Sequence, residues 1–155
     1  MRTYRNFSHT SNYFFGTTLF GEETLYSIQT CNIPGLSFNH IVTSHRSIKV
    51  NLTADTLEFG DLSVSIILDE DLEIWKDIVN TMFTIREQDE GIGVVVEKES
   101  WLEIHNDDSK TILKLWFHRC MLSSISDLDF NTTSEDEILV LNVVIKYDHY
   151  TIEAI

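Results

Sequence analysis

Apolar and polar positions alternate with a period of two over several short stretches of this chain, and with a period of three to four over a single one. The clearest alternation is Leu62-Ser63-Val64-Ser65-Ile66, which predicts a strand over Leu62 to Leu68 with one face in a core. Ser47 to Leu52 alternates in the same way, and Glu23 to Cys31 is a strand ended by the turn at Asn32-Ile33-Pro34-Gly35. Pro34 is the only proline, so this pair is the strongest punctuation in the chain. Leu36 to Val42 is mixed, and Thr53-Ala54-Asp55-Thr56 is a polar turn.

Past Leu68 the period changes. Leu72, Trp75, Ile78, Val79, Met82 and Phe83 form one stripe at helical spacing, and Asp69 can cap the N-terminus with Glu70 and Asp71 beside the positive end of the dipole. This predicts one helix, from Asp71 to Phe83. Arg86 to Gly93 is a charged loop, and Val94 to Val96 and Trp101 to His105 are short strands. After the turn cluster Asn106 to Ser109 comes a long strand, Thr111 to Leu122, with Leu113, Leu115 and Phe117 on one face and Lys114, Trp116, His118 and Cys120 on the other. Ser123 to Glu137 is polar and acidic, and Ile138 to Tyr147 is a final strand with both faces largely apolar. The first twenty-odd residues, rich in Asn, Ser, Thr and aromatics with a break at Gly16-Thr17-Thr18, read as an arm over 1–22 leading into a first strand. Strands, one helix, then strands again exclude a doubly wound parallel sheet. They predict a mainly β domain, an antiparallel sandwich or barrel with one flanking helix.

At 155 residues the chain has the size of one domain, 1–155, and its 43% hydrophobic content places it among globular proteins. The N-terminus lacks the apolar core of a signal peptide, and the longest apolar run, Ile138 to Ile145, is strand-sized, so a soluble product is expected. A net charge of −14 argues against direct nucleic-acid binding, which needs clustered Lys and Arg, but an acidic channel would let phosphate pass without sticking.

Catalytic chemistry finds little support. His118 and Cys120, with His40 or His45, could be considered as metal ligands, but an i, i+2 pair lacks zinc-site spacing. Asp69-Glu70-Asp71 is explained by capping, since the sixth and twelfth positions of a calcium loop counted from Asp69 are Ile74 and Asn80. The expectation is no enzyme, no cofactor and no metal. A small β-barrel binding module is the alternative from another class.

The run Arg46-Ser47-Ile48-Lys49-Val50-Asn51, then Phe59 to Glu70 with its strand ending in Asp69-Glu70, then a helix containing Trp75, resembles the central region of bacteriophage tail tube proteins. Ile112 to Phe117, Leu128-Asp129-Phe130 and Leu139 to Asp148 resemble that family's closing pair of strands. The resemblance covers about residues 24 to 150, and the last residues, Tyr150 to Ile155, extend beyond the family's usual ending. It implies a homo-oligomer of six copies closing into a ring with an inner barrel of joined sheets. Rings would stack into a hollow tube in the tail of a virion assembled in the host cytoplasm, with sheath and baseplate proteins as partners. Genomic DNA would pass through the lumen, with no membrane involved. The repeated tube subunit ranks first, with a baseplate initiator or a tail terminator or completion protein as alternatives. On this reading Asp55, Thr56, Glu58, Arg86, Asp89 and Glu90 are candidates for contacts between rings or subunits, and Lys114, Trp116, His118, Asn142 and Lys146 for strand positions facing the lumen.

Overall fold

The computed structural model describes residues 10–19, 28–87, 98–133 and 137–154. Among them are ten strands and one helix: β1 Tyr13–Thr17, β2 Ile28–Cys31, β3 Leu36–His45, β4 Ile48–Phe59, β5 Leu62–Ile67, α1 Glu73–Glu87, β6 Ser100–His105, β7 Thr111–His118, β8 Met121–Ile125, β9 Val140–Lys146 and β10 His149–Ala154. The strands form two four-stranded antiparallel sheets, ordered β1-β6-β7-β10 and β2-β5-β9-β8, and a separate two-stranded ribbon, β3-β4.

The alternating stretches become the inward faces of the two sheets, as a period of two requires. From β5, Leu62, Val64 and Ile66 are buried, and they pair directly with Ile145, Val143 and Leu141 of the adjacent β9. Leu102, Leu115, Phe117 and Phe15 face them from the other sheet, and one core cluster contains all of them together with Ile74 and Ile78 of the helix. This is the mainly β, two-sheet sandwich with a flanking helix that the sequence predicts.

Several local expectations change. The helix starts at Glu73, not Asp71, because Leu72 sits at φ 54°, outside helical space. The Leu72 amide bonds to the Asp69 carbonyl and the Asp69 carboxylate accepts the Glu73 amide at 3.1 Å, so Asp69 serves the helix start from a turn away. The helix runs on to Glu87, and its buried line is Ile74 and Ile78 with Trp75 and Met82 beside them, while Phe83 is exposed. Gly16 lies inside β1, not at a break. The Trp101 indole lies across it, and a Cβ there would overlap the ring.

The long strand expected from Thr111 to Leu122 is two strands in different sheets. Arg119 adopts φ 56°, the Cys120 amide bonds to the Lys98 carbonyl at 2.8 Å, and the chain crosses from the β7 sheet to the β8 edge of the other. Cys120 is therefore buried, not beside His118 on a strand face. Likewise β7 and β9, expected as a closing pair, belong to opposite sheets, and β7 pairs with the C-terminal β10. Thr53 to Thr56 is no turn, since it continues β4, and Leu36 to Val42 is strand within β3. The strand expected over Val94 to Val96, positions 23–27 of the strand expected from Glu23, and most of the arm, at 1–9 and 20–22, lie outside the described residues.

Leu141→Ala, which removes a fully buried side chain from the middle of the β5–β9 seam, is expected to lower the unfolding free energy by about 2–5 kcal/mol. Urea unfolding followed by Trp fluorescence measures the loss.

Candidate assembly interface

The β3–β4 ribbon is the feature that a self-sufficient domain does not explain. Its strands pair with each other and with no other strand among the described residues, and β4 alone is 12 residues long, about 40 Å at the usual rise. Leu36, Phe38, Val42, Ile48, Val50, Leu52 and Leu57 all stand exposed on it, Ile48 at 66% and Phe38 at 50%. Concentrated exposed apolar surface of this kind marks an interaction site.

The register shows how these side chains are arranged. Leu36 pairs with Phe59 and Phe38 with Leu57, which puts four apolar residues on one face at the base. A register shift between Phe38 and His40 changes the phase, after which Thr43 pairs with Val50 and His45 with Ile48. Ile48, Val50 and Leu52 then form an apolar line on one face of the distal half, while Val42, Ser44 and Lys49 occupy the other. The reversal is made by Arg46 at φ 50° and Ser47 at φ 66°, left-handed positions that a two-residue hairpin turn normally gives to Asn or Gly. Arg46 is thus held at the apex at a conformational cost.

The base of the ribbon is fastened to the sandwich. The Gly60 amide donates to the Gly35 carbonyl at 2.8 Å, and the Tyr147 hydroxyl donates to the Gly60 carbonyl at 2.7 Å. Phe59 meets the Tyr147 and Tyr150 rings edge-on at 6.1 and 5.2 Å, and both tyrosines meet Phe117 of the core. The Lys146 ammonium pairs with the Asp61 carboxylate beside this joint. The arm is exposed, but its root is continuous with the packed interior.

Of the candidates for contacts between rings or subunits, Thr56 and Glu58 lie on β4 in the proximal half of the ribbon, both exposed; the backbone of Asp55 belongs to the same strand, and its side chain lies outside the described part. Arg86 lies in the last turn of α1, with its guanidinium 5.2 Å from the centre of the exposed Phe83 ring. Asp89 and Glu90 lie outside the described residues.

The five strand positions considered for a lumen divide between two outward faces. Lys114, Trp116 and His118 lie on the outer face of the β7 sheet, where they are already engaged. The Lys114 ammonium pairs with Glu103 at 3.5 Å and sits 4.1 Å from the Trp116 ring centre, the Trp116 indole N–H donates to Glu153 at 2.8 Å, and His118 contacts Thr151 and stacks on His149 at 4.7 Å. Asn142 and Lys146 lie on the outer face of the β9 sheet, among Ser63, Ser65, Val144 and Ser124, with Asn142 accepting from the Ser65 hydroxyl at 2.7 Å. One bore would be lined by one of these faces, not by both.

His40 and His45 are on the ribbon, His118 is on an outer sheet face and Cys120 is in the core, so these four do not converge. Among the described residues no group of three or more His, Cys, Asp or Glu side chains is placed to hold a metal, and no helix is long and apolar enough to cross a membrane. Burial pushes the Cys31 thiol up from about 9.0 to about 12 and the Tyr147 phenol up from 10.0 to about 12, the latter reinforced by Tyr150 and Asp61. Cys31 packs, partly buried, against the core, where its thiol is held in the neutral form.

No family model matches the sequence, and no curated protein matches it. Solved structures do. A chain of the tube-terminating cap of the anti-feeding prophage superposes with a TM-score of 0.72 at 13% identity over 100% of this chain and 96% of that one. A chain of the sheath/tube terminator of the PVC extracellular contractile injection system gives 0.72 at 12% identity over 98% and 100%. A chain of the PVC sheath–tube complex gives 0.62 at 12% identity over 96% and 92%.

Two measurements test the interface geometry. Both raised groups favour their neutral forms in the folded state, so the stability they contribute is complete below about pH 9 and is lost as pH rises toward about 12. The urea midpoint is expected to fall between about pH 8 and about pH 11, and to fall less in a Cys31→Ala/Tyr147→Phe variant. At the apex, Ser47→Gly relieves a left-handed residue and is expected to raise stability by about 1 kcal/mol, read as a higher melting temperature.

These likenesses show the fold: this chain is an antiparallel two-sheet sandwich with one flanking helix, built like chains from the terminating cap of the anti-feeding prophage and from the sheath/tube terminator and the sheath–tube complex of the PVC injection system.

Proposed function

We propose that this chain is a structural, ring-forming subunit of the tube of a contractile tail or injection apparatus. The observation that carries the reading is the exposed apolar ribbon β3–β4, rooted in the core at Phe59 and Tyr147 and unpaired with any other described strand. Such an arm is an aggregation hazard in a monomer and a docking element in an assembly. Two further features support it. The fold is shared over nearly the whole chain with chains of a sheath–tube complex and of tube terminators. Each sheet also ends in strands, β1 and β10 in one and β2 and β8 in the other, whose outer edges pair with no described strand and are available to a neighbouring copy.

In this reading six copies close into a ring, rings stack as a conduit in the tail of a virion, and sheath and baseplate proteins bind outside it. The acidic balance keeps DNA from adhering as it passes. The face around Ser63, Ser65 and Asn142, polar and with Lys146 already paired to Asp61, suits a bore better than the face bearing Trp101 and Trp116. A second reading, the terminator that closes one end of the tube, is favoured by the higher TM-scores against the two terminating chains, 0.72, than against the sheath–tube chain, 0.62.

Light scattering and negative-stain microscopy of the purified protein test the role. Rings of uniform diameter are expected, stacked for a repeated subunit and single for a terminator. Ile48→Ser/Leu52→Ser, which removes apolar contact from the ribbon without touching the core, is expected to shift the mass distribution toward monomer with the melting temperature little changed. A wild-type monomer at high concentration that ignores added tube components would refute the role.

A further inference from the structure

The ribbon leaves the β5–β9 sheet at one end and a groove opens at the other. Phe59 leads through Gly60 and Asp61 into Leu62, which pairs with Ile145. At the far end of the same strands Ile67 pairs with Val140, and there the segments after β8 and before β9 form a groove of about 640 Å³. Phe130 and Ile138 line it, 74% and 68% exposed, and Asp127, Asp129 and Glu137 stand with them. None of these three carboxylates has an ion-pair or hydrogen-bond partner among the described residues. Asp69 to Asp71 lie close by, because the Leu68 amide bonds to the Leu139 carbonyl at 3.0 Å.

The ribbon tip is the complement of this groove. In a chain of net charge −14 the segment from Val42 to Val50 carries Arg46 and Lys49 and no carboxylate. Neither cation has an ion-pair partner among the described residues; Ile48 and Val50 stand exposed on one face of the tip, Lys49 projects from the other, and Arg46 sits at the apex between them. One end of the molecule thus carries exposed apolar side chains and two cations without an ion-pair partner among the described residues, and the other end carries two exposed apolar side chains and three carboxylates likewise without one. We infer that the Arg46–Lys49 tip of one copy docks in the Phe130–Ile138 groove of a second copy, the cations against Asp127, Asp129 and Glu137. Donor and acceptor are different surfaces, so the contact is head-to-tail and propagates from copy to copy. It explains why Arg46 holds a left-handed position, which sets a cation at the apex of the arm. The attraction is between exposed charges and weakens with salt.

This contact rests on the assembly role proposed above, and one set of full-length variants separates the two. Arg46→Glu/Lys49→Glu reverses the tip, Asp129→Lys/Glu137→Lys reverses the groove, and the quadruple variant restores complementarity with exchanged signs. All four positions are on the surface, and equal melting temperatures check the fold. In sedimentation velocity at low salt each double variant is expected to self-associate roughly tenfold more weakly than wild type, and the quadruple variant to recover most of the loss. A groove reversal without effect, or a quadruple variant no better than the doubles, overturns the contact even where micrographs show rings. Wild-type association that follows the charge pairs but yields no closed ring supports the contact and refutes the ring. A wild type that stays monomeric at every concentration overturns both.

Discussion

Everything in this molecule is positioned by the apolar seam between β5 and β9. Leu62, Val64 and Ile66 and, beside them, Leu141, Val143 and Ile145 are withdrawn from water, and each such side chain contributes about 1.5–3 kcal/mol of burial. The seam fixes the register of the central strand pair, because a one-residue slip would turn an apolar set outward. With the register fixed, one end of the pair must carry the ribbon and the other the groove. The opposite sheet and the helix then close over the seam through Leu102, Leu115, Phe117, Ile74 and Ile78.

The ribbon obeys a different balance. Fixing some twenty residues of backbone costs about 1–2 kcal/mol each, and an isolated two-stranded hairpin is marginal in water. Here the root supplies what the arm lacks. Phe59 is held edge-on by Tyr147 and Tyr150, these rest on Phe117, and the Gly60 joint is bonded on both of its backbone groups. The distal half has no such support among the described residues. Its stability and its role are therefore linked, since a partner that covers Ile48, Val50 and Leu52 would complete the burial that the monomer leaves unfinished.

The two outward sheet faces show how differently a sandwich can treat its surfaces. On one, Trp101, Trp116, Lys114, Glu103 and Glu153 form a network in which Lys114 pairs with Glu103 and lies over the Trp116 ring, while Glu153 accepts from the Trp116 indole N–H. On the other, hydroxyl and amide side chains predominate, and the Lys146 charge is neutralised by Asp61. Among the described residues, carboxylates gather at the helix start, from Asp69 to Glu73, and in the segments that flank the groove. An end-to-end asymmetry of charge follows, and it favours association of unlike ends over association of like ones.

Residues 62–66 and the presence of the helix are legible in the sequence because half-burial writes its period directly: every second position in a strand, every third or fourth in a helix. The same rule yields the mainly β class, the single helix and Asp69 at its start. It fails where the physical cause is not periodic. In β3 and β4 a register shift changes the apolar phase between Phe38 and His40, so Leu36 to Val42 looks mixed and Thr53 to Thr56 looks like a turn. At Arg119 a left-handed residue without Gly or Pro to announce it splits one apparent strand between two sheets. Phe130 and Ile138 border a stretch whose composition says only polar and acidic. What will be buried is therefore written locally, in the spacing of apolar residues. Which of them remain exposed, and that the basic tip and the acidic groove emerge at opposite ends, comes only from the packing of the whole chain, because exposure depends on neighbours distant in sequence and leaves no local pattern.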